Sequence, residues 1–383
     1  MNNPPLAIEA LRTPRLEGAI PQLVAGPTPG VHLLRGRDAV LARAGMLQEL
    51  CRRTGQAGAM DGLEFLLSAP TALEKIPTLV LIGAGMEPTG AFAGAVLLYE
   101  YQMAGWGTKV FATDDVTGLR TVIAPPGLRM QVAEAACEAL LERGALTTII
   151  SFAGSAEAYS ADGRSAQVAA CRMARRTRSV PWYLPLAETH DATLATLGRH
   201  TRRNLRYYRR RVESEMGAEF VPSVAMGREE FLAINRASTN PVPDATAKWR
   251  YDAIERMPGV LFAGVRARNG RWLSLIGGRR HLGVSEIDWQ INLAGLPRCS
   301  LSTMMRSYLL EHEVKLGTKR LAFSGGTPHS MRHSFACMDV ADVIAVQESA
   351  AAWMLRRAAR WVFPEKNFLG QALRDPELCW TKA

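Results

Sequence analysis

The stretch "SEIDWQINLAG" places Glu286, Asp288, Gln290 and Asn292 in strict alternation with Ile287, Trp289, Ile291 and Leu293. On a strand, successive side chains point to opposite faces, so the four polar residues would share one face and the four apolar residues the other. A polar row on an internal strand must face water, a partner or a cleft, because unpaired burial is costly. A carboxylate in a cleft can take the proton of an amine that attacks an activated carbonyl, directly or through a water. Glu286 and Asp288 are the candidate bases. A solvent-facing sheet surface is the plainer reading of the same row and stays open.

Two other stretches carry chemistry-bearing types. In "FSGGTPHSMRHSFA", Gly325 and Gly326 end a strand, and turns after strand ends often border sites. His329 and His333 stand at i and i+4 and would share a helix face, but no third ligand is in view, so no metal is expected. "RHTRRNLRYYRRRVESE", from Arg199 to Glu215, carries seven arginines and two tyrosines. Leu197, Leu205, Tyr208 and Val212 fall on one side of such a helix, which leaves the arginines for the rest. Three readings stay open: a solvated or ion-paired face, contacts with an anionic donor or acceptor, and a nucleic-acid interface.

The elements that must position these residues follow from periodicity. Residues 37–51 have helical spacing. "IPTLVLIGAG", "AFAGAVLLYEYQ" and "TKVFATDD" read as successive strands, the glycines near 83–85 as a hairpin loop. "PGLRMQVAEAACEALLERG" is a helix between Pro and Gly, "TTIISFAG" a strand. A helix is expected around Arg164–Arg175 and a strand at "SVPWYLPL". The second part repeats the order. "AEFVPSV" is a strand, "REEFLAINRAS" and "ATAKWRYDAIERM" are helices, and "GVLFAGVRARNGRWLSLIGGRRHL" is a hairpin turning at "RNG". After "SEIDWQINLAG" comes a helix opened by Ser300 or Ser302 and closed by Gly317. A strand at "KRLAFSGG", a short helix at "PHSMRHSFA", a strand at "ADVIAVQE" and a helix at "AAAWMLRRAARWVF" follow. The fold class is α/β with a mixed sheet.

The order over residues 218–348 resembles that of the GNAT superfamily of N-acyltransferases. The doubled arrangement, with "LGRHTRRNLRYYRRRVESEMGAEF" before the second copy, is similar to Fem-type aminoacyltransferases. It is more similar still to the acetyltransferase-like proteins of the CelD type found with cellulose biosynthesis. The resemblance covers roughly residues 60–365 and implies tandem GNAT-like acyltransferase domains. The expected division is an arm at 1–35, a first domain at 36–190, a linking helix at 191–217, a second domain at 218–365 and a tail at 366–383. The resemblance implies acyl-CoA or another acyl thioester as co-substrate and an amine, small or carrier-bound, as acceptor. It also implies that the "SEIDWQ" strand borders the reaction cleft. Where the family carries an Arg/Gln-x-x-Gly-x-Gly/Ala loop for the donor pyrophosphate, this chain reads "AGLPRCSLSTMM". The glycines are missing. Arg298, Ser300 and the amides of Leu301 and Ser302 are the remaining candidates for holding an anion. The tyrosine and basic residue often found after the next strand are replaced by Met331 and Arg332, so the tyrosine is missing and Arg332 is the only basic match; Arg332 and His329 are candidates for meeting acceptor or oxyanion. A Fem-type reading would bring tRNA, or an acyl carrier protein, to Arg199, Arg202, Arg203, Arg206, Arg209 and Arg210. A binding protein that kept the fold and lost the donor loop is the non-enzymatic alternative.

The totals agree with a two-domain globular protein. The chain has 383 residues, 48% of them hydrophobic, and a net charge of +10, which favours anionic partners. The six cysteines, Cys51, Cys137, Cys171, Cys299, Cys337 and Cys379, lack a CxxC pair and read as free, mostly buried thiols. No signal peptide or membrane span is expected, and a cytoplasmic protein is the simplest expectation.

Overall fold

The computed structural model describes residues 30–70, 74–83, 92–103, 106–113, 121–154, 171–296, 298–323 and 331–362. The first half runs β1 (Val31–Arg35), α1 (Arg37–Leu41), α2 (Ala44–Arg53), α3 (Leu63–Leu67), β2 (Lys75–Gly83), β3 (Phe92–Met103) and β4 (Trp106–Ala112). It continues with β5 (Val122–Ile123), α4 (Arg129–Glu142), β6 (Thr147–Ala153) and β7 (Cys171–Pro185). Helices α5 (His190–Thr196) and α6 (Arg199–Met216) lead to the second half. That half runs β8 (Glu219–Val221), α7 (Arg228–Arg236), α8 (Asp244–Arg256), β9 (Val260–Arg266), β10 (Trp272–His281) and β11 (Val284–Asn292). It closes with α9 (Leu301–Lys315), β12 (Arg320–Phe323), β13 (Ala336–Gln347) and α10 (Ala350–Val362).

The pairings repeat as faithfully as the order. β1–β2–β3–β4 are successively antiparallel, and β4 then pairs parallel with β6. β8–β9–β10–β11 are successively antiparallel, and β11 then pairs parallel with β12. The last long strand of each half crosses to the other. β13 pairs antiparallel with β6, β7 pairs antiparallel with β12, and the two exchanged strands pair with each other in the middle. The result is one continuous mixed sheet in an α/β arrangement of two like-built halves.

The near-continuous apolar runs are explained by burial on both faces. Val80 and Ile82 of β2 pack with α4 residues such as Ala133 and Leu140, whereas Leu79 and Leu81 pack with Leu47 and Leu50 of α2. In the second half, Ile287, Met305 and Leu309 share a core with Leu205 and Val212 of α6, and Phe231, Tyr251 and Trp289 form the core under α7 and α8. The face bearing α1–α3, α7 and α8 is called the front, and the face bearing α4, α6 and α9 the back. At the seam, Asp342 of β13 is fully buried on the front face, where it accepts from Ser151 of β6 at 2.7 Å and from Arg176 and Arg178 of β7 at 2.7 and 3.0 Å.

Three local expectations change. Val31–Arg35, assigned to the arm, pair with Thr78–Ile82 as the edge strand of the sheet. Cys171–Arg175, expected at the end of a helix, open β7, because β13 offers them a ladder partner at every residue; the rest of that expected helix lies outside the described residues. The short helix at "PHSMRHSFA" is a 3₁₀ turn at Arg332–Ser334, with residues 324–330 outside the described set. Among the described cysteines all are free; Cys51 and Cys137 are buried and Cys337 is exposed, while Cys379 lies outside the described residues. No helix among the described residues is long and apolar enough to cross a membrane.

Candidate active site

The predicted alternation along β11 is broken at its centre. Opposite it, Gly277 pairs with Trp289 and Gly278 with Ile287, so Asp288 is an extra residue with no ladder partner on β10. Glycine is required on β10 here. A Cβ on Gly277 would run into the Trp289 ring, and one on Gly278 into the Glu286 carbonyl oxygen. The bulge moves the later residues to the other face. Glu286, Asp288 and Trp289 face the front, whereas Gln290 and Asn292 join Ser274 at the back. There Ser274 donates to Asn292 at 2.8 Å, and Gln290 donates to both at 3.2 and 3.0 Å. The single polar row of four is therefore corrected to two pairs on opposite faces.

The front pair borders a cleft between the halves with a volume of about 410 Å³. Leu66, Ala69 and Pro70 form one wall, Trp249, Arg250 and Ala253 of α8 the other, and Trp182, Tyr183 and Met338 of the exchanged strands the floor. The indole of Trp249 donates to the Phe65 carbonyl at 2.9 Å and ties α8 to α3. Glu286 is buried, 6% exposed, and its carboxylate accepts from Arg279 Nε at 3.0 Å. Arg279 and Arg280 split between the faces. Arg280 pairs on the back with the fully buried Glu313 at 2.7 Å. Glu313 also accepts from Ser285 and Thr318; burial pushes its pKa up, the hydrogen bonds outweigh that, and the net direction is down.

Arg250 enters the same cleft, its guanidinium 5.7 Å from the centre of the Trp289 ring. Burial lowers its pKa, and the nearby Asp288 charge partly offsets that. Arg320 lies 5.0 Å over Tyr183, and His281 also lines the cleft. None of Arg250, Arg279, Arg320 or His281 is visible as a site residue in the sequence, because α8, the far end of β10 and the start of β12 reach the cleft only through tertiary packing. One signal was present. Two adjacent glycines inside an apolar strand mark a bulge or a close backbone approach.

The remaining candidates lie apart from this pair. α9 packs on the back, and its start carries Arg298, exposed, Ser300 and Ser302, half-buried, and Leu301, 4% exposed. Ser300 occupies the cap position but its hydroxyl bonds that of Thr303 at 2.8 Å and caps no backbone amide. Further along α9, burial brings the Arg306 pKa down to about 10, and its guanidinium lies 5.7 Å over Phe323 at the end of β12. Arg332 lies on the 3₁₀ turn after β12, and His329 falls outside the described residues. Among the described residues no cluster of three or more His, Cys, Asp or Glu is placed to hold a metal.

Helix α6 divides its arginines between two roles. Leu197, Leu205 and Val212 are buried against α9, with Tyr208 packed beside them. Arg209 is turned inward, with Glu213 at 2.9 Å, Glu311 at 2.5 Å and the Tyr308 ring at 4.3 Å. Arg199, Arg203, Arg206 and Arg210 are exposed and Arg202 is half-buried.

No family model and no curated protein sequence matches the chain. Solved structures similar to it include L-PGS from Bacillus licheniformis, 12% identical over 81% of this chain and 94% of that one, with a TM-score of 0.48. FemX is 8% identical over 78% of this chain and 95% of its own, with a TM-score of 0.49. A tandem GNAT protein from the clavulanic acid biosynthesis pathway is 12% identical over 84% and 99%, with a TM-score of 0.41.

Proposed function

We propose that this chain is an N-acyltransferase that moves an acyl group from acyl-CoA, or from an acyl carrier thioester, to an amine by direct attack. The observation that carries the reading is the cleft between the halves, with Glu286 buried and oriented by Arg279 and Asp288 lifted out of the ladder beside it. An attacking amine must lose a proton as its bond to the carbonyl carbon forms and the thiolate leaves. Glu286 or Asp288 accepts that proton, directly or through a water. At the start of α9, on the back of the sheet, Arg298, Ser300 and the amide of Ser302 take the donor phosphates, where a helix start favours negative charge, while the amide of Leu301 is bonded to the Cys299 carbonyl at 3.0 Å. Arg332 and His329, in the segment after β12, meet acceptor or oxyanion.

The test is thiol release from a panel of acyl-CoAs and acyl-carrier thioesters mixed with amines. Turnover lost in Glu286→Gln and kept in Glu286→Asp supports the reading. No turnover with any donor, together with no thermal stabilisation by any of them, favours the binding-protein alternative. The exposed arginines of α6 favour a second reading, in which the donor is an aminoacyl-tRNA or rides on an acyl carrier protein. Activity then falls steeply with salt and, for tRNA, disappears with RNase.

A further inference from the structure

We infer that the amine accepted in the cleft carries a carboxylate, and that Arg250 receives it. The inference rests on the acyltransferase reading of the same cleft. Arg250 is half-buried, and drawing a guanidinium even partly out of water is costly unless an anion meets it. Neighbouring arginines have such partners: Arg279 has Glu286 at 3.0 Å and Arg280 has Glu313 at 2.7 Å. Among the described residues no hydrogen bond or ion pair joins Arg250 to a side chain. Its contacts there are the Trp289 ring at 5.7 Å and the longer-range field of Asp288. The planar fork of a guanidinium matches a carboxylate in two parallel hydrogen bonds.

The cleft therefore offers both ends of a zwitterion a place. Glu286 and Asp288 suit the ammonium that precedes the reactive amine, and Arg250 suits an anion. A carboxylate is the simplest anion that the single planar fork of Arg250 matches, and O-phosphoethanolamine is the probe for the phosphate alternative. Trp182, Tyr183, Trp249 and Trp289 supply flat apolar walls, and about 410 Å³ accommodates a molecule the size of an aromatic amino acid. The ligand class is an amino-acid-like amine with an apolar body.

Calorimetric titration of the full chain tests this without any acyl donor. The probes are L-phenylalanine, L-leucine, their amides and O-phosphoethanolamine. The proteins are the native chain, Arg250→Gln, Arg250→Lys and, as a surface control, Arg52→Gln. The expected result is that at least one free amino acid binds the native chain and the Arg52→Gln control about tenfold or more tighter than its amide. That margin vanishes in Arg250→Gln and survives in part in Arg250→Lys. Equal binding of acid and amide, a margin that persists in Arg250→Gln, binding of O-phosphoethanolamine alone, or no binding of either amino acid overturns the inference. If Arg250→Gln does not fold, the Arg250→Lys margin decides. Transfer to amines that lack a carboxylate, with no preference for those that have one, sinks this inference and leaves the acyltransferase reading standing. Binding through Arg250 with no transfer from any donor does the reverse.

Discussion

In the first half the irregular hairpin beside the parallel strand is stapled shut. Glu100 of β3 is buried and held by Arg35 at 2.7 Å, and it also accepts from the Lys109 amide at 3.4 Å. It lies so close to Gly107 of β4 that a Cβ there would collide with its carboxylate. The Thr108 hydroxyl donates to the Tyr101 carbonyl at 2.7 Å, and Thr113 accepts from the Ser151 amide at 3.0 Å. The helix that follows, α4, is entered through Pro125 and a 3₁₀ turn at Pro126–Leu128, so Pro126 presents no N–H to an anion. In the second half the corresponding irregularity releases Asp288, turns Glu286 to the cleft and is followed by a helix entered through Arg298 and Ser300. Among the described residues, the same topology thus turns its carboxylate onto its own hairpin in one copy and toward a cleft in the other. What decides is the internal bonding of one bulged hairpin and the residues at one helix start, not the architecture.

This contrast breaks first at the paired glutamates. Glu286→Gln should lower turnover by about 100-fold to 10,000-fold, the range of a lost general base. Glu100→Gln should leave turnover within about threefold while lowering the melting temperature. Equal losses in steady-state thiol release would end the distinction between the halves. At the seam, Asp342→Ala leaves Arg176 and Arg178 without their buried carboxylate and should cost about 3 kcal/mol in urea unfolding. Both halves should still melt in one transition, since each holds the other's strand; two separate transitions would show that the exchange does not couple them. Gly278→Ala should cost about 1–3 kcal/mol, because the new methyl meets the Glu286 backbone and not a movable side chain. Differential scanning calorimetry reads it, and an unchanged melting temperature would mean the bulge is not held as described.

The smallest expected effect concerns acid stability. Hydrogen bonds from Lys315 and then Arg209 bring the Glu311 pKa from 4.5 down to about 2. A depressed folded-state pKa gives stability that is present above the unfolded value and lost as the pH falls from about 4.5 toward 2. Glu311→Gln should therefore be less stable at neutral pH and show a shallower loss across that window, followed by circular dichroism. An identical acid profile in the variant would remove the α6–α9 clamp from the account of the second half.

Much of the element order was legible because it depends on local periodicity. The helices of 228–256, the hairpin turning at "RNG" and the strand at "SEIDWQ" were read from spacing alone, and each stands where expected. Strand exchange was not legible, because nothing in Cys171–Arg175 names β13 as its partner. The polar row failed for a related reason. Period-2 alternation holds only while the ladder is regular, and the residue that breaks it, Asp288, is dictated by glycines on another strand. Arg250 was out of reach altogether, since a helix sequence does not say which cleft its polar side will meet.

The crossing of β7 and β13 bears on how the chain is made. While it leaves the ribosome, β6 has no neighbour on its outer side until Ala336–Gln347 have been synthesised. A strand with a bare rim of amides and carbonyls invites pairing with another molecule. The growing polypeptide exposes this rim through the whole interval before its last long strand arrives. A stop codon placed just after α9 would yield an aggregating fragment and not a self-sufficient first copy.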